Sequence, residues 1–279
     1  MSRVDTAPPP PPAPVLPQPR LVGVFAAVTR SEWTKLRTVR STMWALLFAV
    51  VSTVGFGALL TWLEVTRWEV RTRAEVIGFD PILYSFAGLN LAQLAIGVLG
   101  VLVMTSEYAT GGIRLTLGAT PQRTLLLSAK VTIFSAVVAV VSLVSCVTAF
   151  LICQAILAPQ HAGVSFSDSG VTRAVIGGAG HLVLIGAIAV GLGAIIRRTA
   201  GAVATLFAVL LVVPGLVTLL PSPWNDDITR YLPSSAGVAM SAHVAFPNLL
   251  SPLGGLIVLT LYTAGILAIA AVTLSRRDA

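Results

Sequence analysis

The chain has 279 residues, of which 56% are hydrophobic and only 10% charged, with a formal net charge of +7. Soluble domains carry roughly 25% charged residues, so this composition excludes an ordinary soluble domain.

Residues 1–19 hold a proline run from Pro8 to Pro12 and further scattered prolines. Proline removes a backbone donor and fixes φ, so the segment predicts a disordered or polyproline II tail. It also lacks the basic start and apolar core of a signal peptide. From Leu21 to Arg40 the pattern turns helical, with Val22, Phe25, Thr29, Trp33 and Leu36 on one face. This predicts an amphipathic interfacial helix over 21–40. Trp33 lies at headgroup depth, Glu32 at the apolar edge, and Lys35, Arg37 and Arg40 face anionic lipid.

Six stretches then contain no Asp, Glu, Lys or Arg: 41–63, 81–106, 131–167, 174–196, 199–225 and 231–275. A helix needs about 20 apolar residues to cross the hydrocarbon core, and in lipid only a helix or a closed barrel satisfies the backbone. The runs predict an all-α integral membrane fold with spans near 43–63, 84–105, 131–157, 174–196, 199–220 and 253–274. The connection at 64–82 interleaves acids and bases, with Glu69/Arg73 and Arg71/Glu75 at helical spacing. Five prolines punctuate 221–252, where Ile228–Leu232 and Ala236–Ala245 read as short helices. Glycines 177, 178, 180, 186, 191 and 193 crowd the fourth span, which predicts close helix packing. Cys146 and Cys153 stand seven residues apart on one helix, about 10 Å, too far for a disulfide.

With the N-terminus inside, 13 of the 18 Lys and Arg residues fall on the inner side, which carries +9 against −2 outside. That asymmetry predicts a plasma-membrane protein with both termini cytoplasmic. The cations flank spans, so anionic lipid rather than nucleic acid is their expected partner. No Gly-rich phosphate loop is present, since neither Lys35 nor Lys130 follows a glycine. The three histidines lack metal-ligand spacing, and the charge-free runs leave no acid or base for a proton relay. The chain therefore reads as a non-enzyme with no cofactor of its own. Asn90, Gln93, Gln154 and His181 are the polar side chains left within the spans. They suit interhelical hydrogen bonds or the lining of a substrate path.

The segment between spans two and three, from Ser106 to Lys130, carries Glu107, Tyr108, Gly111, Gly112, Arg114, Pro121 and Arg123. Here the chain resembles the permease subunits of ABC-2 type transporters, in three stretches. One is Ser31 to Ser41. The second is Glu107-Tyr108 with Gly111 and Ile113-Arg114. The third is Leu117 to Lys130, with Thr120-Pro121 and Arg123 at similar spacing. The likeness covers 20–279 and implies an ABC-2 exporter-like transmembrane domain. It implies that the segment is a coupling helix seated on a separate ATPase subunit, which binds the ATP and Mg²⁺. Glu107 would stand at the helix–loop junction, and Tyr108, Gly111, Ile113, Arg114, Leu117 and Arg123 would belong to the docking surface. Ala109 stands where the family commonly has a basic residue, and Gly112 where it has Thr. A second permease copy or a paralogue is the further implied partner. The substrate expected is amphipathic or hydrophobic. The alternative is a non-transporting scaffold, immunity or sensor protein with the same fold.

Overall fold

The computed structural model describes residues 21–70, 79–112, 122–244, 246 and 248–276. These are mainly helical, with no strand among the described residues. Among the described residues, six helices are long and apolar enough to cross a membrane: Arg40–Thr66, Pro81–Ala109, Arg123–Gln160, Val171–Ile196, Thr199–Val217 and Pro252–Arg276. Each predicted span falls within or beside one of them. Ahead of the first lies a helix at Leu21–Thr38, ended at Val39 by an extended residue (ψ 117°). The expected tail at 1–19 lies outside the described residues, as do residues 71–78 of the charged connection.

The fourth span is the axis of the bundle. Two thirds of its apolar window (67%) is buried, against 22% for the first, fifth and sixth spans. It packs on the second, third and sixth spans and on a short helix at Pro233–Ser241. The small residues make this possible. A Cβ built on Gly186 would lie 2.7 Å from Phe134 Cε1 of the third span and 3.1 Å from Ile96 Cγ2 of the second. A Cβ on Gly100 would lie 2.7 Å from the Gly186 carbonyl. Backbones this close gain van der Waals contact that lipid tails cannot replace.

Two spans are interrupted by single π-helical turns. In the first span the turn covers Ser52–Phe56, where the Ser52 and Thr53 hydroxyls both donate to Ala49 O (3.1 and 2.8 Å). In the fifth it covers Ala208–Val212, just ahead of Pro214, which has no N–H to return to the preceding turn. The second span opens with Pro81 at its first position and the Asp80 carboxylate as its cap. Asp80 Oδ1 accepts from the amides of Ile82 (2.9 Å) and Leu83 (3.2 Å).

The third span starts at Arg123, eight residues before the expected start at 131, so Lys130 lies two turns inside the helix. Cys146 and Cys153 are both free thiols, buried in this span. The two short helices expected between Pro221 and Pro252 lie a few residues earlier, at Trp224–Thr229 and Pro233–Ser241. Prolines 223 and 233 set their starts, which is the usual place for proline in a helix.

Candidate functional site

Four charged side chains converge at one end of the bundle, from three separate elements. Glu32 and Lys35 come from the N-terminal helix, Glu107 from the last turn of the second span, and Lys130 from the third. Lys130 Nζ donates to Glu32 Oε2 and to Glu107 Oε1, each at 2.7 Å. Lys35 Nζ donates to Glu32 Oε1 at 2.8 Å and to Glu107 Oε1 at 2.7 Å. Cations and carboxylates alternate around a closed ring with no net charge.

Burial differs sharply around that ring. The Lys130 side chain is 1% exposed, Glu32 5% and Glu107 13%, while Lys35 is 44% exposed. Fully desolvated charges survive only when paired and hydrogen-bonded, and removing one partner of such a pair costs about 3–5 kcal/mol. The Lys35 contacts, half in solvent, contribute less. Burial opposes the charge on Lys35, but its hydrogen bonds to Glu107 and Glu32 outweigh that and raise its pKa above the ordinary value of 10.5.

The ring brackets the segment between spans two and three. Glu107 lies in the last turn of the helix before it and Lys130 two turns into the helix after it, so the helices on both sides are tied to the N-terminal helix. Further contacts secure the same end of the bundle. Arg197 stacks over the Tyr108 ring, 5.3 Å from its centroid. The Thr199 hydroxyl donates to that of Thr105 at 2.9 Å, and Arg123 Nη1 to Leu274 O of the sixth span at 3.0 Å. Thr110 closes the second span, and Gly111 follows with φ +69°, a left-handed conformation that favours glycine.

Of the residues expected to couple to a partner, Glu107, Tyr108, Gly111 and Arg123 therefore gather at one end. Ile113, Arg114 and Leu117 lie outside the described residues. Along the N-terminal helix Trp33 is 48% exposed and Arg37 is exposed, as is Arg40 at the start of the first span. Glu32 and Lys35 pair with each other and with Lys130 and Glu107 in the ring. Of the expected path residues, three meet: His181 Nε2 is 3.2 Å from Gln93 Oε1, and Gln93 Nε2 is 3.5 Å from Asn90 Oδ1. Gln154 stands apart and accepts the Val164 amide at 2.8 Å, which holds the loop after the third span.

Sequence reasoning missed the role of Lys130 and of Glu32. The available signal was an acid on the apolar side of an amphipathic helix and a lysine at the very edge of a 37-residue uncharged run. Such residues need a partner when a helix packs, and here each supplies it to the other.

The chain matches no protein-family model and no curated protein.

Proposed function

We propose that this chain is the membrane-spanning permease subunit of an ABC-2 type transporter, an exporter driven by a separate ATPase subunit. The observation that carries the reading is the ion ring at Glu32, Lys35, Glu107 and Lys130, which clamps both ends of the segment between spans two and three. A permease with no phosphate loop must receive force from outside through an element stiffly joined to its spans. The ring makes that joint. It ties the segment to the second and third spans, and through the N-terminal helix to the lead-in of the first.

In this reading the ring-bearing end faces the cytoplasm of a plasma-membrane protein, and two permease chains pair with two ATPase subunits that bind ATP and Mg²⁺. Closure of the ATPases pushes the coupling segment and, through the ring, moves three spans together. The path opened between the chains takes an amphipathic or hydrophobic substrate. The static ring would also suit a non-transporting scaffold of the same fold, and the test separates the two.

The only cysteines, Cys146 and Cys153, are buried, so a Gly112→Cys variant carries one accessible thiol. A photo-crosslinker on that thiol should capture, in the native membrane, a protein whose sequence contains a P-loop ATPase domain. ATP with vanadate should change the yield. A scaffold would give no ATPase adduct under either condition.

A further inference from the structure

A groove of about 250 Å³ opens beside the ion ring, between the N-terminal helix, the start of the first span and the end of the second. Its lining divides by chemistry. Lys35, Ser41, Thr42 and Ser106 supply polar groups, and Leu99, Leu102 and Val103 of the second span supply an apolar wall. From Leu99 to Ser106 that span rises about 10 Å, a large part of the ~15 Å of hydrocarbon in one leaflet.

The polar lining has donors to spare. Thr34 and Thr38 each donate to the carbonyl four residues back, at 3.0 and 2.9 Å. Thr42 does not, because extended Val39 separates it from the turn that holds Thr38. Its hydroxyl makes no hydrogen bond among the described residues, although Thr42 is only 5% exposed. Unlike the Thr61 hydroxyl, which is fully enclosed, that of Thr42 keeps accessible surface. The exposed Ser41 and Ser106 hydroxyls likewise have no partner among the described residues. Val39 caps the first span's helix without a side-chain oxygen, so the first amides there lack both an intrahelical and a capping partner. Lys35 commits two of its three donors to Glu32 and Glu107, and its side chain is 44% exposed. Both carboxylates also line the groove, but each is bonded to Lys130 and Lys35 in a ring without net charge. An anion entering here meets donors and no uncompensated acid.

We propose that this groove holds a membrane phospholipid, with its phosphodiester at Lys35, Thr42 and the start of the first span and one acyl chain along Leu99, Leu102 and Val103. A phosphodiester only accepts hydrogen bonds, and its negative charge suits both an ammonium and a helix N-terminus. A soluble anion would leave the apolar wall unused, and a bare hydrocarbon would leave the hydroxyls and Lys35 unused. A phospholipid uses both. The groove also lies against two spanning helices, where lipid is the solvent. Seated there, the lipid fastens the N-terminal helix to the second span beside the ring. The proposal rests on the spanning helices and not on the transport reading.

Photolabelling of the full chain in vesicles of digalactosyldiacylglycerol, a bilayer lipid without phosphate, tests this. Two trace probes carry the same diazirine on one acyl chain: a phosphatidylglycerol and a diacylglycerol. In the groove, at residues 99–103, the phosphatidylglycerol probe should label severalfold more than the diacylglycerol probe. Both should label alike around Leu261 of the sixth span, which is 67% exposed. Thr42→Val should lower the phosphatidylglycerol adduct in the groove severalfold and leave that at Leu261 unchanged. Inorganic phosphate in the buffer should displace nothing. Equal labelling of the groove by the two probes would overturn the proposal. So would a groove adduct that survives Thr42→Val undiminished, or one that inorganic phosphate removes. The two probes on the unsubstituted chain decide the matter even if the variant fails to fold.

Discussion

Lys130 Nζ lies 2.7 Å from Glu32 Oε2, joining side chains 98 positions apart in the sequence. Both are almost fully buried, and this contact fixes the N-terminal helix to the third span. The Glu107 carboxylate meets the same ammonium from the second span, so one lysine organises the end of the bundle that carries the connecting segment.

Replacing Lys130 with Met leaves the Glu32 and Glu107 carboxylates only the half-exposed Lys35 as a partner in the ring. Loss of one member of a buried ion pair costs about 3–5 kcal/mol, and the thermal midpoint of the detergent-solubilised chain should fall accordingly. Adding Glu32→Gln to Lys130→Met should restore part of that loss. A double variant whose loss equals the sum of the two singles would show that the residues do not interact energetically.

Lys35→Ala should be far milder, because 44% of the Lys35 side chain reaches solvent. Exposed pairs contribute about 0–1 kcal/mol. Its folded pKa is raised above 10.5, so its contribution is complete at neutral pH and is lost as pH rises through the folded value. An alkaline titration of thermal stability should show a decline above about pH 10.5 that the Lys35→Ala variant lacks.

Deleting residues 21–38 removes Glu32 and Lys35 together and leaves Lys130 only the Glu107 carboxylate. Monodisperse yield should collapse, whereas deletion of residues 1–19 should leave it unchanged. Equal tolerance of both deletions, read by size-exclusion chromatography, would deny the helix its anchoring role.

How far these features were legible in the sequence depends on their range. The spans were readable because lipid tolerates almost no unpaired charge, so charge-free runs mark them. Close packing at the fourth span was readable from its glycines. The start of the third span was not, because Lys130 and Arg123 look like a cytoplasmic boundary until their partners are known. Lys130 enters the helix because Glu32 and Glu107 neutralise it, and Arg123 because it bonds the Leu274 carbonyl. Pairings over such separations leave no periodicity to detect. The same holds for Gln154, whose partner is the Val164 amide rather than another span.

Gly186 has no room for a side chain, with Phe134 Cε1 2.7 Å from where a Cβ would stand. Gly186→Val should cost about 1–3 kcal/mol through overpacking. Combining it with Phe134→Leu should recover part of the loss. An unchanged thermal midpoint in the single variant would contradict the close approach of the second, third and fourth spans.

Asp80→Ala removes the acceptor for two amides at the start of the second span. Loss of such a cap costs about 0.5–2 kcal/mol. Hydrogen exchange at Ile82 and Leu83 should accelerate locally, with Asp80→Asn much less affected. Uniform acceleration along the span would instead indicate global destabilisation.

The central claim is that this chain works with an ATPase, and affinity purification from its native membrane tests it most directly. The account predicts a P-loop ATPase subunit recovered in stoichiometric amount, and lost when Glu107 is replaced by Gln in a chain that still purifies as a folded species. Recovery of this chain alone, across several mild detergents, would contradict it.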